Sequence, residues 1–268
     1  METDEVPGGF LLAIGVPERR QVLVAEFVPG DTDRPDETDP SLVPRACIEV
    51  DEPGFGGVVR LLQLEPGGGA HLLAAAGRDF ADRRDAAHLF ELDLTVDPDD
   101  VSCTDAALTL SLECATVVDD GGQEIDRDAD CTVDASQFGV SFDIGNIDDT
   151  PELEIVVGSP GARVNGFDRA GAVYIFRPAT SGATPIGVLT DSRASDGMWS
   201  ADRADDRMGD NVLTIPAGDR DEVVVSAAGE RRLLLFLCTG VGNDAPGWDR
   251  PTNSTGSLVD SQCRNPDK

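Results

Sequence analysis

The chain has 268 residues, 51 acidic against 21 basic, for a formal charge of -30, and its one lysine is Lys268. Such an excess of carboxylates repels phosphate backbones and anionic headgroups, which excludes nucleic acid and membrane insertion from the expected partners. The acidity suits a secreted or salt-adapted surface, and cation binding is the second use open to it.

From the N-terminus, Met1-Glu2-Thr3-Asp4-Glu5 carries acids where a signal peptide carries cations, and the apolar run at Phe10–Val16 is too brief for export or for a membrane span. An extracellular or cell-surface location, which the cysteines below favour, would need a leader outside this stretch. Short β-branched and leucine runs recur between Gly, Pro and Asp clusters, with almost no long amphipathic helical pattern, so an all-β fold is expected. In the first half, predicted strands cover Phe10–Gly15, Gln21–Phe27, Ala46–Val50, Val58–Leu64, His71–Ala75, His88–Leu94 and Ala107–Leu112. Asp79–Leu89, rich in Ala, Arg and Asp, is read as loop with at most one helical turn. In the second half the strands are Ile155–Gly158, Ala172–Phe176, Val212–Ile215, Val223–Ser226 and Leu233–Leu237.

The six cysteines, Cys47, Cys103, Cys114, Cys131, Cys238 and Cys263, form no CxxC pair and have no His-x-x-x-His partner, so zinc is unsupported and disulfides are the better reading. Cys238 is expected to pair with Cys263 and so hold the C-terminal tail. His71 and His88 are the two neutral-pH bases, and both fall in or beside apolar runs where a structural histidine is commoner than a catalytic one. No Gly-x-Ser-x-Gly elbow or phosphate-cradling glycine loop accompanies them, so no enzymatic activity is expected. Trp199 and Trp248 fall in polar loops, and Asn253-Ser254-Thr255 fits a glycosylation acceptor.

Self-similarity carries more than any single strand. Leu11–Arg20 leads into Val22–Val24, Leu72–Arg78 precedes His88–Phe90, Ile155–Pro160 precedes Gly171–Phe176, and Glu222–Arg232 leads into Leu233–Phe236. Each copy is strand, small-residue turn, strand, and Glu-Arg-Arg recurs at Glu18–Arg20 and Glu230–Arg232. The alternative to a repeat array is a β-sandwich whose strands share glycine-rich turns.

The run Phe138-Gly139-Val140-Ser141, then Gly145-Asn146-Ile147-Asp148, then Val157-Gly158-Ser159-Pro160 and Val173-Tyr174-Ile175-Phe176 resembles an FG-GAP repeat of the integrin-α-like type. Gly54-Phe55-Gly56 and Met208-Gly209-Asp210-Asn211 resemble degraded starts of two more copies. The resemblance implies a β-propeller, or a partial arc of one, of about four degenerate blades at 1–53, 54–136, 137–206 and 207–268. The first lacks an obvious opening strand and the last an obvious closing one. An arc would expose the flat faces of its end blades, to be covered by further blades or another subunit.

The resemblance also places a calcium loop before Ile155, with Asn146, Asp148, Thr150 and Glu154 as side-chain ligands and the Glu152 carbonyl among them. Thr150 stands where the family pattern wants an acid and Pro151 where it wants a glycine, so weak binding of Ca2+ is expected, with Asp143 or Asp149 as substitutes. An empty acidic hairpin is the alternative. The corresponding loop Pro216–Glu222 is shorter and reads as a salt-bridged turn around Arg220, and Glu65–Gly69 offers one acid. The function expected is an extracellular binding or scaffold module for protein or matrix contact, against two alternatives: the propeller region of a secreted hydrolase, or a spacer without a ligand.

Overall fold

A computed structural model describes residues 10–29, 40–62, 69–76, 87–104, 108–112, 129–130, 136–147, 153–164, 166–178, 185–190, 205–217, 220–229 and 231–236. These form strands and short 3-10 turns, and none of their helices is long and apolar enough to cross a membrane. The strands β1 (Phe10–Val16), β2 (Gln21–Val28) and β3 (Ser41–Glu49) form an antiparallel meander, the first sheet. The strands β4 (Phe55–Leu62), β5 (His71–Ala76) and β6 (Ala87–Glu91) begin the second sheet. The chain then returns to the first sheet as β7 (Cys103–Thr104), parallel to β3, before β8 (Leu108–Leu112) completes the second.

The strand β9 (Ala129–Asp130) follows. The third sheet contains β10 (Phe142–Gly145), β11 (Glu154–Ser159), β13 (Ala172–Phe176) and β14 (Pro185–Leu189). Between β11 and β13, β12 (Arg163–Val164) pairs with β9. The fourth sheet is β15 (Met208–Ala217), β16 (Arg220–Ala227) and β17 (Arg232–Phe236).

Period-two alternation sends successive side chains to opposite faces, and in the inner sheets both faces are apolar because both are covered. On β5, Leu72 and Ala74 pack towards the first sheet, whereas Leu73 and Ala75 pack towards the third. On β11, Ile155 and Val157 face the second sheet and Val156 faces the fourth. Val223 and Val225 on β16 face back to the third. Three apolar clusters thus join the sheets in series. Among the described residues no buried cluster joins the fourth sheet to the first. Phe138, Tyr174 and Phe176, all buried, fill the middle cluster edge to face. Fully burying a large apolar side chain stabilises by roughly 1.5–3 kcal/mol.

A local signature recurs at the start of sheets two, three and four. Phe55, Phe138 and Met208, each buried, lie between two residues of positive φ: Gly54 and Gly56 (83° and 84°), Gln137 and Gly139 (56° and 87°), Arg207 and Gly209 (56° and 93°). In the first and last of these the trailing glycine meets the preceding sheet. A Cβ on Gly15 would lie 1.8 Å from the Gly56 carbonyl oxygen, and one on Gly158 would lie 2.1 Å from that of Gly209. Two junctions are therefore backbone-close and tolerate no side chain at the glycine. At the junction between them Ala75 holds the equivalent place, and side chains carry the contact.

Each recurrent segment lies on a different sheet, and its two strands are antiparallel neighbours there. The ladders change one detail. Gly15 opposes Val22 and Ser226 opposes Leu233, which makes Arg20 equivalent to Arg231. Both have left-handed φ, 58° and 57°, and both donate their N–H to the carbonyl three residues back. The Glu-Arg-Arg recurrence is thus out of register by one residue, while the turn itself is shared.

The sequence pattern misses β10, whose apolar run is broken by Asp143, and β14, which begins with Pro185 and contains Gly187. It also starts β3 five residues late, because the strand continues back through Pro44 at a register shift. Of the predicted loop Asp79–Leu89, residues 77–86 lie outside the described ones, and Ala87–Leu89 belongs to β6. Cys103, placed by sequence in the 54–136 segment, pairs instead with Cys47 of the first sheet across 56 residues. Closing a loop of that length contributes up to about 4 kcal/mol. Cys114, Cys131, Cys238 and Cys263, and so the expected pairing of the last two, lie outside the described residues.

Candidate functional site

The five residues expected to hold calcium lie in the loop joining β10 to β11 and at the start of β11. Asn146 and Glu154 stand at the two ends of this stretch, and Asp148, Thr150 and Glu152 lie outside the described residues. Glu154 is buried, an expensive place for a carboxylate unless its oxygens are satisfied. Its Oε2 accepts the Ile147 N–H at 2.8 Å, which ties the loop ends together, and its Oε1 accepts from Arg177 Nε at 3.1 Å. The guanidinium neutralises the charge that a cation would use. Asn146 is fixed through its backbone: its N–H donates to Asp221 Oδ2 at 2.9 Å, and its carbonyl accepts the Asp221 N–H at 2.7 Å.

Asp143, the expected substitute ligand, is committed elsewhere. It is buried on β10, accepts the Thr214 N–H from β15 at 2.8 Å and the Ile144 N–H at 3.0 Å, and pairs with Arg60 of β4. Thr214 also donates its hydroxyl to the Ile144 carbonyl. Opening strands of three consecutive sheets therefore converge on one carboxylate. Nothing in the sequence pattern marks these bonding roles of Asp143 and Asp221, because their partners Thr214 and Asn146 lie more than 70 positions away. Arg220, expected at the centre of a salt-bridged turn, has its side chain outside the described residues.

His88 on β6 lies opposite Ser111 on β8, with Ser111 Oγ 3.4 Å from Nδ1 and Glu52 Oε2 2.6 Å from Nε2. The ring packs beside Phe55 at 6.0 Å between centroids. This places the histidine in the junction between the first two sheets. His71 contacts the Gly69 carbonyl at 3.1 Å beside its own strand. After β6, the Thr95 hydroxyl and N–H both donate to exposed Asp93 and hold its carboxyl below the ordinary range. Among the described residues no group of three or more His, Cys, Asp or Glu side chains is arranged to hold a metal ion. Trp199, Trp248 and Asn253 lie outside the described residues. No family model matches this chain, and no curated protein matches it.

Proposed function

We propose that this chain is an arc of FG-GAP-type β-propeller that serves as a binding or scaffold module of an extracellular or cell-surface protein, presenting its loops to a protein or matrix ligand. The observation that carries the reading is the common register of the sheets: equivalent positions on β1, β5, β11 and β16 face equivalent neighbours, and two of the junctions use the same glycine contact. Repetition of one packing unit about an axis is how propellers cover every sheet face. The acidic side chains and the Cys47–Cys103 disulfide suit an oxidising, extracellular setting.

Calcium assists weakly in this reading. Asn146, Asp148, Thr150, the Glu152 carbonyl and Glu154 supply the oxygens, and Arg177 competes for Glu154. A dissociation constant on the order of 0.1–1 mM is expected. In calorimetry Arg177→Gln should tighten binding several-fold, and Asp148→Ala should remove it. Tight binding by the unaltered chain would overturn the assignment.

The functional reading is tested by surface plasmon resonance against immobilised matrix proteins, in calcium and in chelator, run beside a panel of hydrolase substrates. Saturable binding without turnover supports it. Turnover abolished by a single carboxylate substitution would favour the secreted-hydrolase alternative instead.

A further inference from the structure

Among the described residues, each end sheet leaves one apolar face without a neighbour. On the fourth sheet, the side turned away from the third carries Leu213 (48% exposed), Ile215 (41%) and Leu233 (57%). On the first, the side turned away from the second carries Phe10 (55%), Ile14 (38%) and Leu42 (52%), with Phe10 stacked on Phe27 at 4.8 Å. Large apolar side chains exposed together on one sheet face mark an interaction surface.

The two faces are complementary, not alike. Val224 on the fourth sheet stands in register with Val156 and Leu73, which face the following sheet. Ile14 on the first stands in register with Val157 and Ala74, which face the preceding one. We infer that the fourth sheet of one copy docks on the first sheet of a second copy, head to tail, repeating the junction that joins consecutive sheets within the chain. An isologous pairing would press two following faces or two preceding faces together, an arrangement found at none of the three internal junctions.

Ser226 determines which kind of junction forms. It holds the place of Gly15 and Gly158, and its Oγ accepts the Asn211 N–H at 2.9 Å and lies 3.2 Å from Asn211 Nδ2. The backbones therefore stay apart and side chains carry the contact, as at Ala75. Charge sets the conditions, since each copy carries -30. Repulsion between exposed charges acts over a Debye length of about 8 Å at physiological ionic strength and shrinks with added salt. Association by these faces should strengthen with salt, whereas an interface of ion pairs would weaken. The inference rests on strand register and is independent of what the loops bind.

Sedimentation velocity tests it with the full chain in about 0.05 M and about 0.5 M NaCl, alongside Leu233→Asp and Ile14→Asp, each checked for strand content by circular dichroism. Leu233→Ser and Ile14→Ser replace any aspartate variant that loses its fold. The chain should sediment above the monomer, further so at high salt, and each single variant should lose about tenfold or more in association constant. An equimolar mixture of the two variants should give a one-to-one dimer and nothing larger, because each supplies one intact face. A wild-type monomer in both buffers, self-association by either variant alone, or a mixture that stays monomeric would each overturn the proposal.

Discussion

Gly158 shows how one residue fixes the spacing of two sheets. A Cβ there would meet the Gly209 carbonyl oxygen at 2.1 Å and Ser141 Oγ at 2.5 Å, and the first of these is backbone that cannot swing aside. Gly158→Ala should therefore cost about 2–3 kcal/mol, read as a lower midpoint in urea unfolding. Ala75→Gly, at the junction already spaced for a side chain, should cost only about 1 kcal/mol or less. Equal costs would mean that the two junctions do not differ as described. Residue identity announced this glycine, since Gly-Ser-Pro is part of the pattern that made the third segment legible. It did not announce the role of Glu154. A carboxylate in an acidic loop reads as a cation ligand until its partners, the Ile147 N–H and Arg177, are known. Arg177 is 23 positions away, and sequence spacing gives no sign that the two meet.

Among elements, β1, β2, β11 and β13 were legible nearly to their ends; β11 and β13 are buried on both faces, which leaves their apolar runs almost uninterrupted. The opening strands were harder. β10 contains Asp143, and that carboxylate is what binds β10 to β4 and β15, so the feature that hides the strand from a hydropathy pattern is the one that anchors it. Removing it should cost about 2–3 kcal/mol, the worth of charged hydrogen bonds lost on burial. Asp143→Ala should lower the urea midpoint by the corresponding amount. The double variant with Arg60→Gln is expected to lose less than the sum of the two single losses, because the Arg60–Asp143 pair is already broken in either one. A fully additive pair would show that Arg60 and Asp143 do not interact. The excursion that returns to the first sheet as β7 was invisible for another reason. Cysteine spacing constrains the number of bridges and never their connectivity, and only the fold brings Cys47 beside Cys103.

At the scale of the molecule, four sheets pack in series through three apolar clusters, and among the described residues no buried cluster joins the last sheet to the first. The four recurrent segments of the sequence fall one on each sheet, in chain order. They do not reveal how closely one sheet approaches the next, which differs between the glycine contacts at Gly15 and Gly158 and the alanine contact at Ala75. The central claim is that this series is open, and pulsed electron resonance tests it most directly. Nitroxides are placed at Arg19 and Ala228, exposed residues in the equivalent β1–β2 and β16–β17 turns, through a keto amino acid that leaves the native cysteines alone. The labelled chain is diluted into unlabelled chain so that only distances within one copy are read. Packed sheets lie about 10 Å apart, so three intervening junctions predict a separation of about 25 Å or more, and a distance near 10 Å would mean that the fourth sheet closes on the first and would contradict the account.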